Sequence, residues 1–143
     1  MSNQQDKAAL GKAIEDWAEA TRNKDADRVA TFFAKDVVSF DLAPPLKSSG
    51  FDRDALAKWF KTWNGPIGYE VTDQDITVGE SIAFVRSLNH LTGTKVDGEK
   101  VELWTRSTVC FRKAGADWKV VHVHNSVPLM MDGSNKAATD LKP

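Results

Sequence analysis

The sequence contains little cysteine, no excess of either charge and no long apolar run. Cys110 is the single cysteine among 143 residues, which excludes an intrachain disulfide. Its place in an apolar strand pattern favours a packed thiol over a nucleophile. Nineteen basic residues against twenty acidic ones leave a net charge of −1. The chain therefore lacks the field that would attract nucleic acid or an anionic membrane.

Segments that address a protein to membranes or to secretion are also missing. No stretch approaches the roughly 18 apolar residues of a membrane-spanning helix. The N-terminal MSNQQDKAALGKA has no apolar core of a secretory signal. We therefore expect a protein of the reducing cytoplasm without a nucleic-acid or membrane partner. A chain of 143 residues is long enough for one domain with its own core.

The first part of the chain predicts three helices and a strand. Apolar residues at spacings of three and four predict a helix over residues 4–23. Asp25 can cap a second short helix, and a third fits Asp52 to Trp63. Between them, residues 37–42 alternate as a strand, and the prolines of APPLKSSG then predict a loop.

The second part of the chain predicts four long strands joined by glycine-containing turns. The strands are expected at Tyr69–Val78, Ser81–Thr94, Lys100–Lys113 and Trp118–Val127. Helices followed by hairpin-linked strands are typical of an α+β domain in which helices pack on one face of an antiparallel sheet. We expect one domain over residues 1–128 and a mobile tail over residues 129–143.

The last strand, DWKVVHVHNSVP, carries apolar residues on both faces and is predicted to lie inside the sheet. Read at a period of two, one face holds Trp118, Val120, His122, His124 and Ser126. The opposite face is aliphatic except for Asn125. A buried amide without a partner costs about 1–3 kcal/mol. Asn125 is therefore expected to bond internally or to meet a ligand.

Two segments carry a resemblance to a known family. FFAKDVVSFDLAPPLKSSG and the terminal W-x-x-V-H-x-H-x-S-x-P, in their order among the helices and strands, resemble the SnoaL-like branch of the nuclear transport factor 2-like superfamily. The resemblance covers about residues 5–128. It implies a cone in which a strongly curved sheet wraps three helices around a central pocket. Such a fold hosts isomerases, cyclases, dehydratases and binding modules, so it does not fix the activity.

Asp41 is the first candidate for chemistry. The stretch AKDVVSFD resembles the segment of ketosteroid isomerase that ends in a proton-shuttling aspartate, with Asp41 at that position. A carboxylate in a partly apolar pocket gains basicity because burial disfavours its charged form. The alternative is that Asp41 hydrogen-bonds the loop that follows it.

The other catalytic positions of that isomerase differ in this chain. Its tyrosine on the first helix corresponds by resemblance to Trp17, and its protonated aspartate to Thr108 or the neighbouring Ser107. An indole N–H donates one hydrogen bond but lacks the acidity of a phenol. Steroid isomerisation is therefore not expected, and any reaction needs another electrophile.

Arginine is the expected substitute. Arg106 lies in mid-strand beside Trp104, where a guanidinium needs a partner. The calcium/calmodulin-dependent kinase association domain binds small carboxylates through three arginines. By resemblance Arg86 matches the first, Arg106 stands for the second and Asn125 replaces the third. Alternatively, the two arginines pair across strands with carboxylates, of which the candidates are Glu102, Asp73 and Asp75.

His122 and His124 form an H-x-H pair without a convincing third ligand, so no metal is expected. The resemblance puts the pair on the convex side of the sheet, where it would lie in a subunit interface. With Trp118 and Val120 as neighbours, this face is predicted to form a homodimer.

Two functions follow as hypotheses. The first is a cofactor-free enzyme of isomerase, cyclase or dehydratase type acting on a hydrophobic carbonyl or carboxylate metabolite. Asp41 would be its general base, Arg106 or Trp17 would stabilise the oxyanion, and Trp63 and Tyr69 would be pocket walls. The second is a non-catalytic module that uses the same pocket for an acidic small molecule, or that serves oligomerisation.

Overall fold

A computed structural model describes residues 3–143. Its helices are α1 (Asn3–Arg22), α2 (Ala26–Ala30) and α3 (Arg53–Phe60). Its strands are β1 (Phe33–Phe40), β2 (Ser48–Ser49), β3 (Trp63–Val78), β4 (Ile82–Lys95), β5 (Lys100–Ala114) and β6 (Asp117–Ser126). No helix in this part of the chain is long and apolar enough to cross a membrane.

The strands that the structure describes form one six-stranded sheet in the order β2-β1-β6-β5-β4-β3. Strands β3 to β6 are an antiparallel meander, and β6 returns beside β1, with which it pairs in parallel. The sheet is curved and unclosed, and all three helices precede its four long strands in the chain. The predicted α+β fold is thereby confirmed.

Helix α1 packs over the sheet and supplies much of the core. Leu10 and Ile14 are buried against Val85, Val109 and Phe111 of the central strands. A second cluster lies beneath the short helices and the start of β3; its buried members are Ala20, Ala26, Val29, Phe60, Trp63 and Ile67. The caps agree with the sequence, since the carboxylates of Asp25 and Asp52 accept backbone hydrogen bonds at the starts of α2 and α3.

The boundary between α3 and β3 differs from the sequence prediction. The helix ends at Phe60, and the strand begins at Trp63, six residues before its predicted start at Tyr69. Asn64 to Pro66, which follow the predicted end of the helix at Trp63, lie inside β3 at a register irregularity. A proline is tolerated there because β3 is an edge strand, whose outward N–H groups need no partner strand.

A β-bulge in β6 interrupts the strict alternation of residues between the two faces of the strand. Val120 pairs with Phe111 and His122 pairs with Cys110, so Val121 is an extra residue on β6. Trp118 and Val120 are consequently buried in the core rather than on the face of the histidines. The single face predicted for Trp118, Val120, His122 and His124 is therefore wrong, because the bulge shifts the alternation by one residue.

The C-terminal segment has a short pairing within itself and an ion pair with the sheet. Leu129 and Ala137 form an isolated antiparallel bridge, and Ala138 is buried. Lys142 lies 3.2 Å from the carboxylate of Glu102 on β5. The ion pair joins Lys142 to β5, and the mobility of residues 129–143 stays a prediction.

Candidate functional site

A narrow cavity lies between α1 and the sheet. We call the side of the sheet that faces α1 the inner face and the opposite side the outer face. The cavity has about 30 Å³ available to the centre of a water-sized sphere, which is room for roughly two waters. Its apolar wall consists of Ile14, Trp17, Ala18, Val71, Val109 and Val123. Its polar wall consists of Tyr69, Ser87, Asn89, Ser107 and Asn125.

Three of the polar residues form a hydrogen-bonded chain. The hydroxyl of Ser87 donates to Oδ1 of Asn89 at 2.8 Å, and Nδ2 of Asn89 donates to the hydroxyl oxygen of Tyr69 at 2.8 Å. Burial raises the pKa of Tyr69 to about 12, although the hydrogen bond from Asn89 opposes the rise. The phenol therefore stays protonated at physiological pH and can donate a hydrogen bond.

The backbone around Tyr69 is held from two sides. Nη1 of Arg22 on α1 donates to the carbonyl oxygen of Tyr69 at 2.8 Å. Gly68 faces Thr92 on β4 so closely that a Cβ at this position would collide with the threonine hydroxyl. The absence of a side chain at Gly68 lets the two strands stay paired there, and this fixes where the tyrosine enters the cavity.

Asp41 stands at the rim of the cavity. Phe40 packs against His122 and His124 on the outer face, so Asp41 continues the inner side of β1. Its Oδ1 accepts from the backbone N–H of Leu42 at 2.9 Å and from Nδ2 of Asn125 at 3.4 Å. The carboxylate is exposed, but its charge contributes to raising the pKa of Tyr69. Asp41 thus reaches the cavity electrostatically and through Asn125.

Arg106 and Thr108 do not reach the cavity. On β5 Thr105, Ser107 and Val109 are buried on the inner face, while Arg106 and Thr108 are exposed on the outer face. The guanidinium of Arg106 donates to the hydroxyl of Ser126 at 3.1 Å across the sheet. Sequence reasoning divided β5 into its two faces correctly, but it assigned the outer face to the pocket. The predicted place of Arg106 and Thr108 in the pocket is therefore wrong.

Arg86 and Trp63 are also outside the cavity. Arg86 forms an exposed ion pair with Asp75 at 3.2 Å, as the alternative interpretation had it. Trp63 is buried in the second cluster, with Nζ of Lys95 4.0 Å from its ring centre. Of the predicted pocket residues, the structure places Trp17, Tyr69 and Asn125 at the cavity wall.

The histidine pair lies on the outer face. His122 contacts the carbonyl oxygen of Val38 through Nδ1 at 2.6 Å, and the two imidazole centres are 6.5 Å apart. Cys110 pairs with His122 across the strands, and partial burial raises the pKa of its thiol. Within residues 3–143, no group of three or more histidine, cysteine or acidic side chains could hold a metal ion. That the protein binds no metal stays a prediction.

Sequence reasoning missed Ser87 and Asn89, which line the polar wall on β4, and named Ser107 on β5 only as a neighbour of Thr108. Ser87 and Asn89 share the face of the buried Val85, and Ser107 shares that of Val109. For Ser87 and Asn89, the available signal was an uncharged polar residue at every second position after the buried Val85. Such a signal is weak because serine and asparagine are equally common on exposed strand faces.

Comparisons with known proteins agree with this architecture. A protein of unknown function from Pseudomonas putida KT2440, described as nuclear transport factor 2-like, is 27% identical over all of both chains, with a TM-score of 0.84. A protein from Novosphingobium aromaticivorans DSM 12444, provisionally identified as a scytalone dehydratase, is 19% identical over 99% of this chain and 96% of its own, with a TM-score of 0.77.

A ketosteroid isomerase-like protein from Erwinia carotovora atroseptica SCRI1043 is 22% identical over 83% of this chain and 93% of its own, with a TM-score of 0.66. No curated protein matches the sequence. The family model for the SnoaL-like domain matches residues 11–130. The chain therefore belongs to the SnoaL-like domain family, within the nuclear transport factor 2-like superfamily.

Proposed function

We propose that the protein is a small cofactor-free enzyme of isomerase or dehydratase type, which acts on a neutral apolar molecule with a carbonyl group. The observation that carries the proposal is the position of Asp41 at the rim of a cavity that contains the hydroxyl of Tyr69. A base and a neutral hydrogen-bond donor at one cavity are the two groups that proton abstraction next to a carbonyl requires.

The charges around the cavity favour a neutral substrate. Among the described residues that line it, none is charged, and the carboxylate of Asp41 contacts one of them, Asn125, at 3.4 Å. A carboxylate ligand would bring a second negative charge close to Asp41 without a cation to compensate it. This argues against the acidic ligand that the arginines suggested from sequence.

In the proposed reaction, Asp41 takes the proton from the carbon next to the substrate carbonyl. The developing negative charge on the carbonyl oxygen is stabilised by a hydrogen bond from Tyr69, which takes the role first given to Arg106 or Trp17. An isomerase then returns the proton to another carbon. A dehydratase instead releases a neighbouring hydroxyl group, which leaves with a proton as water. Both outcomes share the first step.

The shared first step gives a test that needs no knowledge of the product. Small ketones are incubated with the protein in D₂O, and loss of the α-proton signals is followed by NMR. We expect Asp41→Asn to lower the exchange rate by roughly 10²–10⁴-fold, since the amide cannot act as a base. Tyr69→Phe should lower the rate without abolishing ligand binding.

The matched control is Asp75→Asn, which makes the same change on the outer face. It should leave the exchange rate at the wild-type value. Equal rates for wild type and Asp41→Asn, in a protein that does accelerate exchange, would contradict the role of Asp41.

A binding module without turnover is the second candidate, and the exposure of Asp41 favours it. Such a module would bind the ketones, as seen by shifts of the cavity resonances, but would not accelerate exchange above the buffer rate.

We also propose that the outer face binds a second copy of the chain. Phe40, Phe84 and Ile82 lie on this face with 38%, 42% and 52% of their surfaces exposed. Phe84→Glu should convert the dimer to a monomer in sedimentation velocity at micromolar concentration. Leu46→Glu, in the exposed loop after β1, is the control and should stay dimeric. A monomeric wild type would contradict this proposal.

A further inference from the structure

The hydrogen-bonded chain in the cavity has a direction. An amide has one donating and one accepting end, and Oδ1 of Asn89 accepts from Ser87 while Nδ2 faces Tyr69. The tyrosine oxygen is thus the acceptor in its bond with Asn89. Its own proton takes no part in that bond and is free to point elsewhere.

The negative charge of Asp41 at the rim favours the same orientation of the Tyr69 hydroxyl. The carboxylate of Asp41 interacts electrostatically with the hydroxyl of Tyr69, and it favours a phenol proton that points towards the rim. The donor end of Asn89 behind the oxygen and the negative charge in front of it therefore support one orientation. In this orientation Tyr69 presents a hydrogen to the cavity.

We infer that Ser87 and Asn89 are positioning residues that make Tyr69 an obligate hydrogen-bond donor, so that the cavity selects a carbonyl oxygen over a hydroxyl group at this point. A hydroxyl ligand can still accept the bond, but its own proton then needs an acceptor in the cavity. The inference rests on the proposed use of this cavity as the ligand site.

The orientation can be measured without a ligand. Tyr69 is the single tyrosine in the sequence, so incorporation of a fluorinated tyrosine gives one ¹⁹F resonance from this position. Fluorination also lowers the pH at which the phenol ionises, which keeps the titration within the range of the folded protein. The midpoint of the titration is then compared between wild type and variants.

A donor to the oxygen stabilises the phenolate, so its removal must raise the midpoint. We expect Asn89→Leu to raise the midpoint by about 1–2 pH units. Ser87→Ala should raise it by less, since the amide stays but loses the group that fixes its orientation. Asn64→Leu, at an exposed asparagine near the start of β3, is the control and should not change it.

The sign of the shift decides the orientation. A lower midpoint in Asn89→Leu would mean that the amide accepts the tyrosine proton, and an unchanged midpoint would mean that the two groups do not bond. Either result overturns the inference. If Asn89→Leu does not fold, as judged by circular dichroism, the sign of the Ser87→Ala shift gives the same decision.

Selectivity is tested with two small probes of one skeleton, acetone and 2-propanol, because the cavity is narrow. We expect the wild type to bind the ketone at least about tenfold more tightly than the alcohol in NMR titrations. Asn89→Asp supplies an acceptor to Tyr69 and turns its proton away from the cavity, so this preference should disappear. Asn64→Asp makes the same change at an exposed position and should keep the preference.

Equal binding of the two probes by the wild type would overturn the inference while leaving the cavity as a ligand site. If neither probe binds but the ¹⁹F midpoint rises as expected, the orientation of Tyr69 stands and the proposed function fails. The two failures are therefore distinguishable.

Discussion

The two faces of the sheet provide partners for their polar residues in different ways. On the outer face, charged residues pair with one another or with hydroxyl groups in contact with solvent, as Arg86 does with Asp75 and Arg106 with Ser126. On the inner face, the polar residues of the cavity are uncharged, and Ser87, Asn89 and Tyr69 satisfy one another. Position along a strand therefore says less about a residue's role than the side on which it lies.

The difference has a simple physical cause. Removing a charge from water costs several kcal/mol unless a partner compensates it, roughly the stability of a small domain. A neutral amide or hydroxyl costs less and can be satisfied by one or two hydrogen bonds. The inner face can thus carry polar groups for recognition without an ion pair, and it keeps the ionised Asp41 at the rim.

Placing a charge on the inner face should produce the largest effect. We expect Val109→Asp to lower the free energy of unfolding by about 3–5 kcal/mol, because the carboxylate would be buried without a partner. Thr108→Asp, one residue away on the outer face, should change it by less than about 1 kcal/mol. Urea unfolding followed by circular dichroism measures both. Similar losses at the two positions would remove the distinction between the faces.

The buried carboxylate of Asp6 is an exception that should be costly to break. It accepts from the indole N–H of Trp118 at 3.3 Å and pairs with Lys113 at 3.4 Å. Asp6→Ala should destabilise the protein by about 2–4 kcal/mol, since both partners lose their bond. Lys12→Ala removes the exposed pair with Asp16 and should cost about 0.5 kcal/mol or less. Thermal unfolding of the two variants compares them directly.

The burial of Tyr69 predicts a dependence of stability on alkaline pH. Its folded-state pKa of about 12 lies above the value near 10 in the unfolded chain. Its contribution is fully present below pH 10 and is lost as the pH rises towards 12, because only the unfolded chain then releases the proton.

Between pH 9 and pH 11, the wild type should therefore lose about 1 kcal/mol more stability than Tyr69→Phe. Urea unfolding of both proteins at the two pH values gives the difference, in which all other titrating groups cancel. Parallel losses in the two proteins would show that the phenol is not shielded from water.

The smallest effect is expected for the arginine that sequence reasoning placed in the pocket. Arg106→Leu removes an exposed bond to Ser126 and should change the free energy of unfolding by less than about 1 kcal/mol. The affinity for the ketone probe should also be unchanged. A tenfold loss of that affinity would show that Arg106 contributes to ligand binding.

Much of the fold follows from local patterns. The capping aspartates Asp25 and Asp52 mark the starts of their helices, and the alternation of VVSFDL predicts the inner side for Asp41, which directly follows β1. Each of these signals lies within a few residues of chain and depends on periodicity or capping chemistry. For this reason they could be read without knowledge of the tertiary contacts.

The site could be predicted only in part. Trp17, Tyr69 and Asn125 were expected at the pocket and line the cavity, whereas Arg106, Thr108, Arg86 and Trp63 do not. The bond between Asn89 and Tyr69 joins residues 20 positions apart and depends on the register of β3 with β4. No local pattern reports such a register.

By itself, the sequence determined the order of the helices and the long strands, the α+β class and the division of β5 into two faces. Only the tertiary structure decided which face of β5 meets α1, and it turned Trp118 and Val120 inward through the bulge at Val121. The physical reason is that a period of two distinguishes the faces of a strand but does not say which one is buried. That choice is made by the packing of α1, and a bulge can reverse it with one extra residue.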